Sequence, residues 1–272
     1  MNIVKNKVVI LIIAMVCFIT LQGCENGSTE SQKTDTVQTS AQTGTIAGKT
    51  SESSLESNNS GEKDKASKLL PGVSHFQNAT VKIKGDKTVY FDPISIIGEP
   101  HDADIVFITH THNDHFLTYD IKKVMKDGAT LVITSDGVQM AQNAEIKKIV
   151  DVSPNKEYEV DGIKFKTVPS YNLDGVFHPK ESNWVGYVIN MNSTSYYIAG
   201  DTDVIPEMSA VKADVAFLPV GGTYLMDPSQ AAQAAKILKP KFTVPIHYDS
   251  REYAENFLKL LDKSIKGIII ES

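Results

Sequence analysis

The stretch Ala103-Asp104-Ile105-Val106-Phe107-Ile108-Thr109-His110-Thr111-His112-Asn113-Asp114-His115 decides how the rest of the 272-residue chain is read. Its first part, from Ile105 to Thr109, is a largely apolar run with the pattern of a buried strand. Its second part, HxHxDH, crowds His110, His112, Asp114 and His115 at the end of that strand. Charged together, three imidazoles would repel; merely buried, the group would waste polar atoms. A transition metal removes both penalties, because neutral imidazole and ionised carboxylate are good ligands for zinc, manganese or iron. The plain alternative, a polar loop that happens to be histidine-rich, fits this spacing poorly.

Around that stretch the chain alternates hairpins and helices. Val81–Lys84 and Thr88–Phe91 flank Gly85-Asp86-Lys87 as a hairpin that ends at Asp92-Pro93. A helix is expected near Tyr119–Lys126, stopped by Asp127-Gly128, then a strand at Leu131–Thr134, a helix over 137–148 and a strand at Ile149–Val152. Tyr158–Val160 and Ile163–Val168 turn at Asp161-Gly162, and Gly186–Met191 and Ser195–Ala199 turn at Asn192-Ser193. Strands Asp214–Val220 and Phe242–Ile246, a helix Ser229–Leu238, an amphipathic helix Arg251–Lys263 and a strand over 267–270 complete the order. Two sheets packed face to face with helices outside accommodate it, an α/β class.

The N-terminus reads differently. Lys5 and Lys7 precede an apolar run from Val8 to Leu21, then Gln22-Gly23-Cys24, the layout of a secretory signal peptide over 1–23. The run is short for a spanning helix, which needs about 20 apolar residues. Leu21-Gln22-Gly23-Cys24 resembles a bacterial lipobox, which implies lipidation of Cys24 and a lipid-anchored protein on the outer side of the cytoplasmic membrane. An uncleaved N-terminal anchor would give the same topology. Residues 24–68 turn to Ser, Thr, Gln, Glu, Gly, Asn and Lys with no aromatic, the composition of a disordered tether. The folded domain is expected over 69–272, and all seven histidines fall within it. The only two cysteines are Cys17 and Cys24, so the domain has no disulfide, thiol nucleophile or thiolate ligand. From Leu69 onward 20 Lys and Arg face 26 Asp and Glu, without a basic run, which argues against nucleic acid as a partner.

Further candidate ligands sit where strands enter loops. Asp201 follows Tyr196–Gly200, His247 follows Val244-Pro245-Ile246, and His178 lies in the loop 171–183. Side chains leaving several strand ends on one rim can converge on a metal pair. In combination, HTHNDH (110–115), AGDTD (199–203) and PIHY (245–248) resemble the metallo-β-lactamase superfamily over nearly all of 72–272.

That resemblance implies a four-layer αββα sandwich and two divalent ions, zinc first, with manganese and iron as alternatives. It implies that His110, His112 and a third histidine hold one metal. Asp114, His115 and His247 would hold the other, with Asp201 bridging and Asp114 taking a proton from the bridging water. The third histidine departs from the family pattern: Pro169-Ser170-Tyr171-Asn172 stands where it normally ends a strand, and His178 comes later. His178 is expected as that ligand, with a substrate contact or an incidental loop histidine as alternatives. Such a pair activates a shared hydroxide against carbon or phosphorus.

The absence of cysteine from the domain sets aside many β-lactamases. Trp184–Ile189 and Pro245–Tyr248 look like the branch related to sugar-phosphate lactonases and phospholipase D-type hydrolases. An ester, lactone or phosphodiester is the expected bond, and a small or lipid-like molecule the expected substrate. The alternative is a non-catalytic binding lipoprotein; di-iron redox chemistry lacks its usual accompanying modules.

Tyr171, Asn172 and Lys180 surround His178 and are expected substrate contacts, as is Tyr224 after the mobile pair Gly221-Gly222. Trp184 is read first as core packing and second as a pocket wall. Asp203 either supports a histidine ligand or caps a helix. His75 is read as structural rather than metal-facing, and His101 as solvated.

Overall fold

The computed structural model describes residues 68–270. The expected signal segment 1–23, Cys24 and the tether up to residue 67 lie outside the described residues. Strands β1 (Val73–His75), β2 (Val81–Lys84), β3 (Thr88–Phe91), β4 (Ala103–Phe107), β5 (Met125–Thr134) and β6 (Ile149–Val152) pair in that order as a six-stranded sheet. Strands β7 (Glu157–Val160), β8 (Ile163–Pro169), β9 (Val185–Met191), β10 (Thr194–Ile198), β11 (Val215–Pro219), β12 (Phe242–Ile246) and β13 (Lys266–Gly267) form a seven-stranded sheet in consecutive order. Helices α1 (Thr118–Val124) and α2 (Ser135–Asn143) belong to the first half, α3 (Pro228–Leu238) and α4 (Arg251–Leu260) to the second. Each half opens with antiparallel hairpins and closes with parallel strands, β3 to β6 and β10 to β13.

Period-2 alternation along the strands builds the layers. In β4, Ile105 and Phe107 point into a core shared with Phe165, Tyr187, Phe217 and Val244 of the other sheet. Between them Val106, and after them Ile108, point outward to Phe116, Ile121, Val124 and Ala141 around α1 and α2. In β11, Val215 and Phe217 face the same inter-sheet core, whereas Ala216 and Leu218 pack on Ala231, Ala234 and Phe257 of α3 and α4. Strands covered on both faces read as continuous apolar runs, which is why β4 and β11 show no polar alternation. Three apolar layers between four layers of structure give the αββα sandwich.

Two contacts close the sandwich at the C-terminal end of β4. The Tyr187 hydroxyl donates to the carbonyl of Ile108 at 2.6 Å, and the Val185 amide donates to the carbonyl of Thr109 at 3.1 Å. Both tie β9 to the two residues that lead into His110.

Several element boundaries differ from the sequence expectation. Helix α1 ends at Val124, because Met125 already pairs with Ala103 and begins a ten-residue β5. Asp127-Gly128, expected as a helix stop, is instead the irregular part of that strand, with Gly128 at φ +78°. Helix α2 starts earlier and stops at Asn143, with Glu145 at φ +63° breaking the turn. Helix α4 ends at Leu260 rather than Lys263. The strand expected over 267–270 ladders only at Lys266–Gly267; Ile268 and Ile270 are nonetheless buried between the sheets. All three hairpins form as expected, with positive φ at Asp161, Gly162, Asn192 and Ser193 in the last two turns. Among the described residues no helix is long and apolar enough to cross a membrane.

Candidate metal centre

The run 110–115 leaves β4 through Thr109, whose amide and hydroxyl both donate to the buried carboxylate of Asp92, at 2.8 and 2.7 Å. The chain then turns on itself: the amides of His115 and Phe116 both donate to the carbonyl of His112. This turn brings Asp114 and His115 back beside His110. Gly200 lets Asp201 meet them. It has φ +68°, and a Cβ there would lie 3.0 Å from Ser170 Oγ and 3.1 Å from Thr109 Cβ. Both the backbone conformation and the close approach therefore require glycine. His247 leaves β12 with φ +51°, its amide donating to Asn78.

These turns bring all seven expected ligands together in two groups. One ligand atom each of His110, His112 and His178 lie within 4.8 Å of one another, and the same holds for Asp114, His115, Asp201 and His247. Asp201 Oδ2 faces both groups: it is 3.2 Å from His115 Nε2, 3.3 Å from His247 Nε2, 3.5 Å from His178 Nε2 and 3.9 Å from His110 Nε2. His115 Nε2, His178 Nε2, His247 Nε2 and Asp201 Oδ1 are buried with no hydrogen-bond partner. Buried polar atoms are almost always satisfied, so four orphaned atoms around one point fit an absent cation.

The other ring nitrogens are held from outside. His178 Nδ1 donates to Asn172 Oδ1 at 2.7 Å and His115 Nδ1 to Asp92 Oδ2 at 2.9 Å. His110 Nδ1 lies 3.0 Å from Thr109 Oγ1, which itself donates to Asp92. Each bond fixes the ring orientation that turns Nε2 inward.

Electrostatics divides the histidines. Burial pushes His110 well below the ordinary imidazole range, with His115 adding to the effect, and burial lowers His178. For His115 and His247 burial is outweighed by Asp201, helped by Asp92 and Asp114 respectively; His115 rises well above its usual range and His247 to about 9. Asp201 stays ionised despite burial because His115 and His247 lie against it. The His247 imidazole, its Nε2 3.2 Å from the Asp114 carboxylate, holds Asp114 at about 2. Protons on His115 and His247 balance the charge of Asp201 and Asp114, and a metal held by these residues would have to displace them.

The remaining expected residues take varied positions. Asn172 is buried and committed: it accepts from His178 and donates to the Tyr224 carbonyl at 2.9 Å and to Asp203 at 3.3 Å. Its geometry is that of a ligand support, where the sequence suggested a substrate contact. The Tyr171 hydroxyl donates to Glu207 at 3.0 Å, and Lys180 Nζ donates to Glu207 at 2.8 Å and to Tyr171 at 3.2 Å. Both polar ends expected to meet substrate are engaged with Glu207 instead. Asp203 caps no helix; the nearby 3-10 turn starts at Pro206, and Asp203 accepts from Asn172 and the Leu173 amide. Trp184 forms a wall, with its ring 5.0, 4.8 and 5.6 Å from those of His110, His112 and His178. His75 spans the carbonyls of Ile270 and Asn78, and His101 is exposed.

Sequence reading missed three supports. Asp92 looked like a strand terminator; its φ of +45° turns the carboxylate toward Thr109 and His115. Asp136 accepts from Thr111, Thr134 and Trp184. Asn78 donates to Asp114 and receives the His247 amide. Each lies far from the motif in sequence, and only Asp92, one step beyond β3, carries a local signal.

Comparison with known proteins identifies the family. Residues 78–248 match the family profile described as a beta-lactamase superfamily domain. A UPF0173 metal-dependent hydrolase from Thermococcus onnurineus is 31% identical over 219 residues, covering 73% of this chain and 96% of its own length. One from Nanoarchaeum equitans is 35% identical over 159 residues, 55% of this chain and 71% of that protein. Among solved structures, a protein described as a metal-dependent hydrolase from Parabacteroides distasonis superposes with a TM-score of 0.63 at 28% identity, covering 73% of this chain and 91% of that one. Igni18, a metallo hydrolase from Ignicoccus hospitalis, shares the fold with a TM-score of 0.60 at 22% identity, over 73% and 94% of the two chains. The histidines and aspartates gathered at the sheet ends thus sit on a shared scaffold, and this chain belongs to the β-lactamase superfamily as a metal-dependent hydrolase.

Proposed function

We propose that the chain is a membrane-tethered, extracytoplasmic hydrolase in which His110, His112 and His178 hold one divalent cation. Asp114, His115 and His247 hold a second, and Asp201 bridges. The observation that carries this reading is Asp201 Oδ2, which lies within hydrogen-bonding or ionic reach of imidazoles from both groups. Mixed imidazole and carboxylate donors without thiolate suit zinc, with manganese and iron next. Bound cations would supply Lewis acidity and lower the pKa of water toward neutrality.

The chain's own residues do the rest. Asp92, Thr109 and Asn172 hold the imidazoles with Nε2 inward. Buried Asp201 brings negative charge between cationic groups. Asp114, with its side chain 52% exposed, stands at the solvent side and can take the proton from attacking water. This machinery serves an ester, lactone or phosphodiester. The lipid anchor rests on Leu21–Cys24, and residues 24–68 act as the tether.

Metal analysis beside hydrolysis of phenyl esters, lactones and bis(p-nitrophenyl) phosphate tests the reading. Two metal equivalents are expected per chain, with Asp201→Ala losing at least one equivalent and turnover falling about 100-fold or more. Two metals retained at normal rates would refute the bridge. Full occupancy without turnover on any substrate would favour a binding protein.

A further inference from the structure

The two loops that flank the metal centre each carry an exposed aromatic ring, and the rings meet. Phe177 and Tyr224 stack with centroids 3.5 Å apart and planes 19° from parallel, although their side chains are 44% and 49% exposed. Phe177 immediately precedes His178, and its ring lies 6.4 Å from that of His112. Tyr224 follows Gly221, which packs on the backbone of a candidate ligand: a Cβ there would meet the His247 carbonyl at 2.7 Å. On the same loop as Phe177, Leu173 and Val176 are 65% and 69% exposed.

The arrangement is held in place at a cost. Tyr224 has φ +59°, an unfavourable backbone for a bulky residue. Its carbonyl is fixed by Asn172, the residue that orients His178. A strained, hydrogen-bonded backbone that leaves an aromatic face in water is unlike a folding contact, which would bury that face. The charge around it points the same way: Lys180, the lysine of this loop, is committed to Glu207 and Tyr171. A phosphorylated group would have to draw Lys180, the only lysine of this loop, away from Glu207.

We propose that Phe177, Tyr224, Leu173 and Val176 form the acyl-binding wall of the centre, selecting neutral esters or lactones with a medium-length aliphatic acyl chain. This deepens the hydrolase reading and rests on it for the bond cleaved. The chain would lie on the Phe177–Tyr224 pair with its carbonyl toward His112 and His178. Each methylene buried there adds to affinity, so preference should climb with chain length.

The test separates binding from turnover. Metal-loaded protein is titrated calorimetrically with butanamide and octanamide, uncleaved probes of the acyl group. Octanamide should bind at least about tenfold more tightly, and Phe177→Ala and Val176→Ser should each shrink that ratio by about threefold or more. Val176→Ser removes only a largely exposed side chain, so it keeps the test decisive if Phe177→Ala misfolds; metal content verifies both variants. Equal affinities, or a ratio unmoved in both variants, would overturn the proposal. Turnover of phenyl butanoate and phenyl octanoate is then compared. A retained amide preference without ester or lactone turnover would sink the hydrolytic assignment and leave the acyl wall standing. Turnover with no chain-length preference in either assay would do the reverse.

Discussion

At the scale of single residues, the centre depends on groups that never touch a metal. His178 arrives on a loop, without the strand end that fixes His110, and Asn172 supplies the missing rigidity through one 2.7 Å bond. Asn172→Ala should therefore weaken the three-histidine site about 10- to 100-fold, read by chelator competition, while the other site stays filled. An unchanged pair of affinities would show that packing against Trp184 alone positions the ring. This support was not legible in sequence. The candidate ligands themselves were, because HxHxDH, Asp201 and His247 each follow an apolar run. Asn172 and Asp92 act through folded neighbours 6 and 23 residues away, and nothing in their local pattern names the partner.

Elements decide whether those residues meet. Gly200, two residues past β10, has a left-handed backbone and neighbours that would have to give way to a Cβ, so Gly200→Ala should cost about 1–3 kcal/mol in denaturant unfolding and displace Asp201. Loss of one metal equivalent should accompany it; full metal content at wild-type stability would contradict that role. The far ends of the same strands are pinned by Asp214, whose carboxylate accepts from the Ser195 amide and hydroxyl and pairs with Lys241 at 2.7 Å. Those bonds, the Lys241 one foremost, lower its pKa to about 2. A depressed carboxylate stabilises fully above its unfolded value near 4 and loses that contribution as pH falls through about 2. Asp214→Asn should thus cost about 1–2 kcal/mol at pH 6 and progressively less toward pH 3. Urea midpoints of both proteins across that range are the measurement, and a constant gap would contradict the assignment. The last two hairpins were readable because their turn residues, which take positive φ, announce them. Helix ends were not, since Met125 leaves its helix to pair with Ala103, a tertiary contact that propensity does not encode.

For the molecule as a whole, location and architecture are separate questions. If Cys24 anchors the chain, Cys24→Ser should release it from the membrane fraction, followed by immunoblot, while the soluble domain keeps its metals. Continued sedimentation with membranes would mean that the apolar run itself is the anchor. The sandwich was legible from the order of hairpins and helices. What no order could convey is that its two halves meet at the ligands. His110, His112, Asp114 and His115 leave the six-stranded sheet, whereas His178, Asp201 and His247 leave the seven-stranded one. Cations held there would act as rivets between two plates. At a free concentration a hundred times the dissociation constant, one such site adds about 2.7 kcal/mol to the folded state. The melting temperature of this enzyme then becomes a gauge of the trace-metal supply around it, and starvation for metal would loosen the plates as well as silence the chemistry.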